Sequence, residues 1–150
     1  MRKAIEAAKR GITAGQTPFG SCLVKNGRVV AACHNTVWAT CDPTAHSEIN
    51  TLREACGKLK TIDLSGCVVY STTEPCPMCF SACHWAKVDM IVYGAEIADA
   101  HAAGFNELTI SNREMGAYGG SRVKVKGGVL RRECRRLFRE WVENNMCGSY

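Results

Sequence analysis

The sequence predicts an α/β sandwich around a mixed sheet. An Asn-Gly pair at 26–27 joins two apolar runs into an opening hairpin. Short apolar runs then alternate with helical stretches, and an amphipathic segment stands at each end of the chain.

Within residues 2–14, Ile5, Ala8 and Ile12 recur at helical spacing, which predicts a helix ending before Gly15. The runs Gly20–Val24 and Arg28–Cys33 flank Asn26-Gly27, a pair that tolerates the positive φ angles of a type I′ turn. His34–Thr44 reads as a polar loop. Ala45–Lys58 is helical in composition, with Ile49, Leu52 and Cys56 on one side. The run Cys67–Ser71 lacks alternation, as expected of a strand buried on both faces. Pro75 and Pro77 bracket Cys76, where a helix reaching about Ala86 can begin, because the missing proline N–H costs nothing in a first turn. Met90–Tyr93 repeats the buried-strand pattern and leads into a short helix over Ile97–Ala102. Val123 and Val125 alternate with lysines as in an edge strand. A long helix over Val129–Asn145 places Leu130, Cys134, Leu137 and Trp141 along one stripe.

The 150 residues, 46% hydrophobic and 22% charged, suit one domain with one core over residues 1–150. No apolar run approaches the roughly 18–20 residues of a membrane span. Met1–Glu6 lacks the apolar stretch of a secretory signal. Of the ten cysteines, Cys22, Cys33 and Cys67 sit inside hydrophobic runs, where a thiol acts as a small buried hydrophobe. A reducing, cytoplasmic setting is therefore expected rather than a disulfide framework. Residues 121–150 carry Arg122, Lys124, Lys126, Arg131, Arg132, Arg135, Arg136 and Arg139 against three glutamates, which accounts for the whole formal charge of +5. Such an end permits nucleic-acid contact, although a solvated helix face explains it more simply.

The informative pattern is His46-Ser47-Glu48 followed, 28 positions later, by Cys76-Pro77-Met78-Cys79. Two thiolates three apart at a helix start can grip one tetrahedral ion, and an imidazole from another helix adds a third ligand. Three protein ligands leave a fourth position for water, the arrangement of a catalytic zinc. Zinc lowers the pKa of such a water towards neutrality. Glu48, two residues from His46, can take a proton from that water and pass it to a ring nitrogen or leaving amine. A lone Cys-x-x-Cys would be a weak signal, equally open to a closed structural site or a redox pair. The joint His-x-Glu and Pro-Cys-x-x-Cys pattern is a zinc deaminase signature. Cys83, four residues after Cys79, either faces the metal region or packs as a core thiol, and Cys41 reads as an exposed free thiol.

From Pro18-Phe19-Gly20 through Asp42–Glu48 and Glu74–Cys79 to the terminal tyrosine, the chain resembles the cytidine deaminase-like superfamily, and within it the bacterial guanine deaminases. The resemblance implies a three-layer α-β-α sandwich around a five-stranded mixed sheet. It implies one Zn2+ per chain on His46, Cys76 and Cys79, with Glu48 as proton shuttle. It also implies that Asn35 hydrogen-bonds the substrate ring, that Phe19 stacks on a purine and that Trp85 lines the pocket. By residue type alone, Asn35 reads more commonly as a turn residue in a polar loop, and Phe19 and Trp85 read as core. The segment Asp99–Glu107 resembles a stretch whose acidic residue, commonly aspartate, recognises the guanine N–H edge; Glu107 keeps that acceptor pair on a longer arm. Tyr150 matches a terminal tyrosine supplied by a partner subunit, and as a chain end it reads equally as a disordered tail. The family further implies a homodimer, commonly with an exchanged C-terminal segment, to which the helix over Val129–Asn145 could contribute or which it could ignore by capping its own sheet.

The expected activity is hydrolytic deamination of a small-molecule purine, guanine to xanthine and ammonia. A tRNA adenosine deaminase is the rival, carried by Asp42–His46, Glu74–Cys76 and the arginines at 131, 132, 135, 136 and 139. Deamination of cytosine, guanosine or an aminotriazine would use the same metal chemistry. A non-catalytic zinc module is a further alternative, disfavoured by Glu48 and by the free fourth position.

Overall fold

A computed structural model of the protein describes residues 1–144. Helix α1 (Arg2–Thr13) leads into strands β1 (Gly20–Lys25) and β2 (Arg28–His34). These form the expected hairpin, with Asn26 at φ 50° and Gly27 at φ 73°. After the short helix α2 (Val37–Thr40) come α3 (Ser47–Leu59), β3 (Cys67–Thr73), α4 (Pro77–Trp85) and β4 (Met90–Ala95). Helices α5 (Ile97–Ala102) and α6 (Asn112–Tyr118), strand β5 (Lys124–Lys126) and helix α7 (Arg131–Glu143) complete the fold.

The sheet has the order β2-β1-β3-β4-β5. The pairs β1/β2 and β1/β3 are antiparallel, whereas β3/β4 and β4/β5 are parallel. It is the expected five-stranded mixed sheet, covered on both faces. On one side, Leu52 and Ala55 of α3 join Phe80 and Cys83 of α4 over Leu23, Val69 and Ile91. On the other, Ala8 and Ile12 of α1 meet Cys134, Leu137, Phe138 and Trp141 of α7. Two glycines permit that second layer. A Cβ on Gly20 would stand 2.3 Å from the Ala4 carbonyl oxygen, and one on Gly94 would stand 2.2 Å from Cys134 Sγ. The guanidinium of Arg131 ties α7 to the start of α5 through Glu96 at 2.9 Å and Asp99 at 3.1 Å.

Several sequence expectations change. The supposed loop at 34–44 contains α2. The buried face of α3 is Ser47, Glu48, Thr51, Leu52 and Ala55, while Ile49 and Cys56 are half-buried. Its first turns dock on β1 by polar contacts instead: the Ser21 hydroxyl donates to the Ser47 carbonyl at 2.9 Å and lies 2.5 Å from Thr51 Oγ1. Strand β3 is not sealed on both faces along its length, since Val68 and Tyr70 are half-buried. Leu130 does not join the α7 stripe; it sits at the helix start with φ 55°. Helix α6 carries no apolar periodicity, and its sequence signal is the capping box Ser111-x-x-Glu114. Helix α7 lies against its own chain, and residue 145, the end of the predicted helix, is outside the described residues. No helix among the described residues is long and apolar enough to cross a membrane.

Candidate active site

The parallel pair β3/β4 ends where α3 and α4 begin, so the site is built at the carboxyl edge of the sheet, where open α/β folds place their ligands. His46 is the N-cap residue of α3 and Cys76 that of α4, both in extended backbone. Pro77 follows Cys76 at the first helical position, and Cys79 lies in the same turn, fully buried. His46 Nδ1 stands 3.6 Å from each sulfur. The three donor atoms lie within 4.8 Å of one another, and among the described residues this is the group that could hold a metal ion. With Zn–S near 2.3 Å and Zn–N near 2.0 Å, a tetrahedral N···S edge is about 3.5 Å, so the donor set fits zinc. Both helix N-termini point their partial positive charge at it, which favours thiolate.

The protons are distributed to match. Hydrogen bonds from the Cys79 thiol and from His46, outweighing burial, hold the Cys76 thiol down at about 4. Cys79 is pushed well up, by its bond to that thiolate first and then by burial beside Glu48. Burial opposes the imidazolium of His46, yet the adjacent Cys76 thiolate and Glu48 raise it overall.

Glu48, in the first turn of α3, is 6% exposed. The Ser71 hydroxyl on β3 donates to its Oε1 at 2.6 Å, and the Ser47 hydroxyl to Oε2 at 2.9 Å. Cys79 Sγ stands 3.6 Å from the same Oε2. The carboxylate is thus aimed at the ligand set by two hydroxyls whose roles no motif announces.

A cleft over this centre is lined by Phe19, His46, Glu48, Thr73, Glu74, Cys76 and Glu107. Glu107 comes from the segment between α5 and α6; burial, and then the Cys76 thiolate, push its carboxyl above the ordinary range. Phe19 borders the cleft and packs edge-on against Phe105, ring centroids 4.8 Å apart, and Phe138, 5.9 Å apart. Asn35 is buried beside it: its N–H donates to the Phe19 carbonyl at 3.0 Å, and its Oδ1 accepts from the Val37 N–H at 3.0 Å. Asn35 is not among the lining residues, and neither is Trp85. Trp85 sits at the far end of α4 from Cys76, 78% exposed, because nine helical residues carry it to the opposite rim. Tyr150 lies outside the described residues. Cys83 is wholly enclosed in the core and Cys41 is exposed.

Fold and site define a zinc-type deaminase. The chain belongs to the family of the cytidine and deoxycytidylate deaminase zinc-binding region, which matches residues 1–95. It is a hydrolase acting on a C–N bond, with zinc as cofactor. The guanine deaminase of Bacillus subtilis (strain 168) is 41% identical over 111 residues, covering 73% of this chain and 71% of that one. The tRNA-specific adenosine deaminase of the same strain is 35% identical over 134 residues, 89% of this chain and 81% of that one. The solved guanine deaminase of Nitrosomonas europaea superposes with a TM-score of 0.85 at 32% identity, over 95% of this chain and 81% of that one.

Proposed function

We propose that the protein deaminates guanine hydrolytically, yielding xanthine and ammonia. The observation that carries the reading is Glu48: a nearly enclosed carboxylate, held by Ser71 and Ser47, with one oxygen 3.6 Å from a candidate ligand sulfur. Zinc held by His46, Cys76 and Cys79 supplies a nucleophilic water at neutral pH.

The chain's own groups do the remaining work. Glu48 takes a proton from the attacking water as oxygen bonds to guanine C2. It gives that proton to the adjacent ring nitrogen, then moves the remaining proton of the new C2 hydroxyl to the amine, which leaves as ammonia while C2 becomes the carbonyl of xanthine. The planar C2 becomes tetrahedral on the way, so a fixed carboxylate beside the metal acts on charge that exists only between substrate and product. Glu107, which lines the cleft together with Glu48, offers acceptors to the guanine N–H edge. Phe19 gives the base an aromatic wall, and Asn35, hydrogen-bonded to the Phe19 backbone, orders that wall.

The protein works in the cytoplasm as a homodimer of single-domain chains. The exposed ring of Trp85 suits a subunit contact and reaches a pocket only across it. One observation favours a second reading, a tRNA adenosine deaminase. Arg132, Arg135 and Arg139 line a groove of about 610 Å³ beside α5, where phosphates would find charge.

An ammonia-release screen against guanine, guanosine, adenine, cytosine, small aminotriazines and a tRNA anticodon stem tests these readings. Turnover of guanine is the expected result. Turnover of the tRNA stem alone would transfer the activity to the second reading, and zinc without turnover of any of them would leave a binding module.

A further inference from the structure

The segment that carries Glu107 has little to hold it. Between the end of α5 at Ala102 and Ser111 it exposes Asn106, Leu108 and Thr109, and Leu108 is 66% exposed. Its anchors are at its ends. Phe105 is 3% exposed, inserted among Phe19, Phe138 and Trp141, and its N–H donates to the Ala100 carbonyl at 3.2 Å. At the other end stands Asn112, the first residue of α6 and wholly buried.

Asn112 is clasped to the strand that delivers the metal ligand. Its backbone N–H donates to Glu74 Oε1 at 2.8 Å, and its side-chain Nδ2 donates to the Pro75 carbonyl at 2.5 Å. Glu74 itself extends the parallel ladder, its N–H donating to the Ala95 carbonyl at 2.9 Å. Two bonds, spanning 38 and 37 residues, therefore couple the backbone just before Cys76 to a point five residues after Glu107. Asn112 Oδ1 is buried with no partner among the described residues. An unmet acceptor there costs stability, so the amide is oriented for its donor side.

The geometry points to Glu74 and Asn112 as positioning residues. They form a clasp that sets the distance between the metal-bearing loop and Glu107, and so the affinity and selectivity for the base. The inference rests on the reading of Glu107 as the group that receives the base. Glu74 borders the cleft, but its role here is that of an acceptor for a backbone N–H, which a neutral amide can also fill.

The test uses the zinc-loaded protein and the variants Asn112→Ala, Asn112→Asp, Glu74→Ala and Glu74→Gln. Asn112→Asp keeps the volume, replaces the donor to Pro75 with an oxygen and sets a second carboxyl group beside Glu74. It and both alanine variants are expected to raise KM for the base by roughly tenfold with kcat within about threefold. Zinc stays at one per chain, and amide exchange over residues 103–112 quickens. Glu74→Gln, which preserves an acceptor, is expected to keep the slow exchange of the wild type and to raise KM less than Glu74→Ala does. Unchanged exchange and KM in the Asn112 variants would overturn the clasp. So would a Glu74→Gln variant as impaired as Glu74→Ala, since charge rather than hydrogen bonding would then matter. If wild-type protein leaves guanine untouched, the substrate reading fails, whereas the exchange measurement still decides the clasp.

Discussion

The Ser71 hydroxyl on β3 donates a 2.6 Å hydrogen bond to Oε1 of Glu48 on α3, joining the sheet to the carboxylate beside the candidate metal ligands. A hydrogen bond to a charged group contributes about 1.5–3 kcal/mol. Ser71→Ala leaves Ser47 as the remaining hydroxyl on that carboxylate. The variant should lose about tenfold in kcat, because a loosely held carboxylate spends less time where the proton must pass. Zinc content, read by atomic absorption, should not change. A drop in zinc equal to the drop in rate would show that Ser71 supports the ligands rather than Glu48.

Glu48→Gln keeps the shape of the side chain and removes its ability to accept a proton. Loss of a general base typically costs 10²–10⁴-fold, so turnover should fall by about that factor. The ligand set is separate from this carboxylate, and one zinc per chain should remain. Activity within about tenfold of wild type would remove Glu48 from the chemistry.

Zinc binding to the metal-free protein should release between about one and two protons near neutral pH, and more as the pH falls. Cys76, held down at about 4, is already thiolate and contributes none. Cys79, raised by the Cys76 bond and by burial, must give up its proton to bind. His46, its affinity raised overall beside Cys76 despite burial, adds a fraction that grows on acidification. Protons leave on binding, so affinity must rise with pH. Calorimetry in buffers of different ionisation enthalpy measures the count, and a release of more than two protons at neutral pH would contradict the Cys76 assignment.

Alkylation at mildly alkaline pH should separate the described cysteines. In the zinc-loaded protein Cys41, exposed, should react first. Cys33 is slowed because burial and the Glu54 carboxylate push it up to about 11, and Cys134 because burial pushes it up to about 12. Peptide mapping over time reads the order directly. Rapid labelling of Cys134 in folded protein would mean that α7 opens readily from the sheet.

Gly94→Ala should destabilise the fold by about 1–3 kcal/mol or more, because its Cβ would stand 2.2 Å from Cys134 Sγ and 3.0 Å from the Thr72 carbonyl oxygen. For a domain of this size each kcal/mol lowers Tm by about 2–4 °C. A thermal melt reads the shift, and an unchanged Tm would mean that α7 does not pack on β4 as described.

Local rules carried the sequence a long way. Asn26-Gly27 announced its hairpin, helical periodicity marked α1 and most of α7, and Pro77 after Cys76 marked the start of α4. The pairings His46-x-Glu48 and Cys76-x-x-Cys79 were legible because each lies within one helical turn, where spacing alone decides which side chains are neighbours. Helix α6 escaped because Asn112–Tyr118 has no apolar stripe, although its Ser111–Glu114 box was there to be read. Trp85 was legible as an aromatic residue but not as an exposed one.

What the chain alone determined is the chemistry that its short-range spacings can express: a Cys₂His donor set with an acid two residues from the histidine. Only the tertiary structure decided that Ser71 holds Glu48, that Glu107 enters the cleft, and that Glu74 and Asn112 clasp across 38 residues. These contacts join segments remote in sequence. A hydrogen bond between such segments depends on strand order and helix docking, which no local residue pattern encodes.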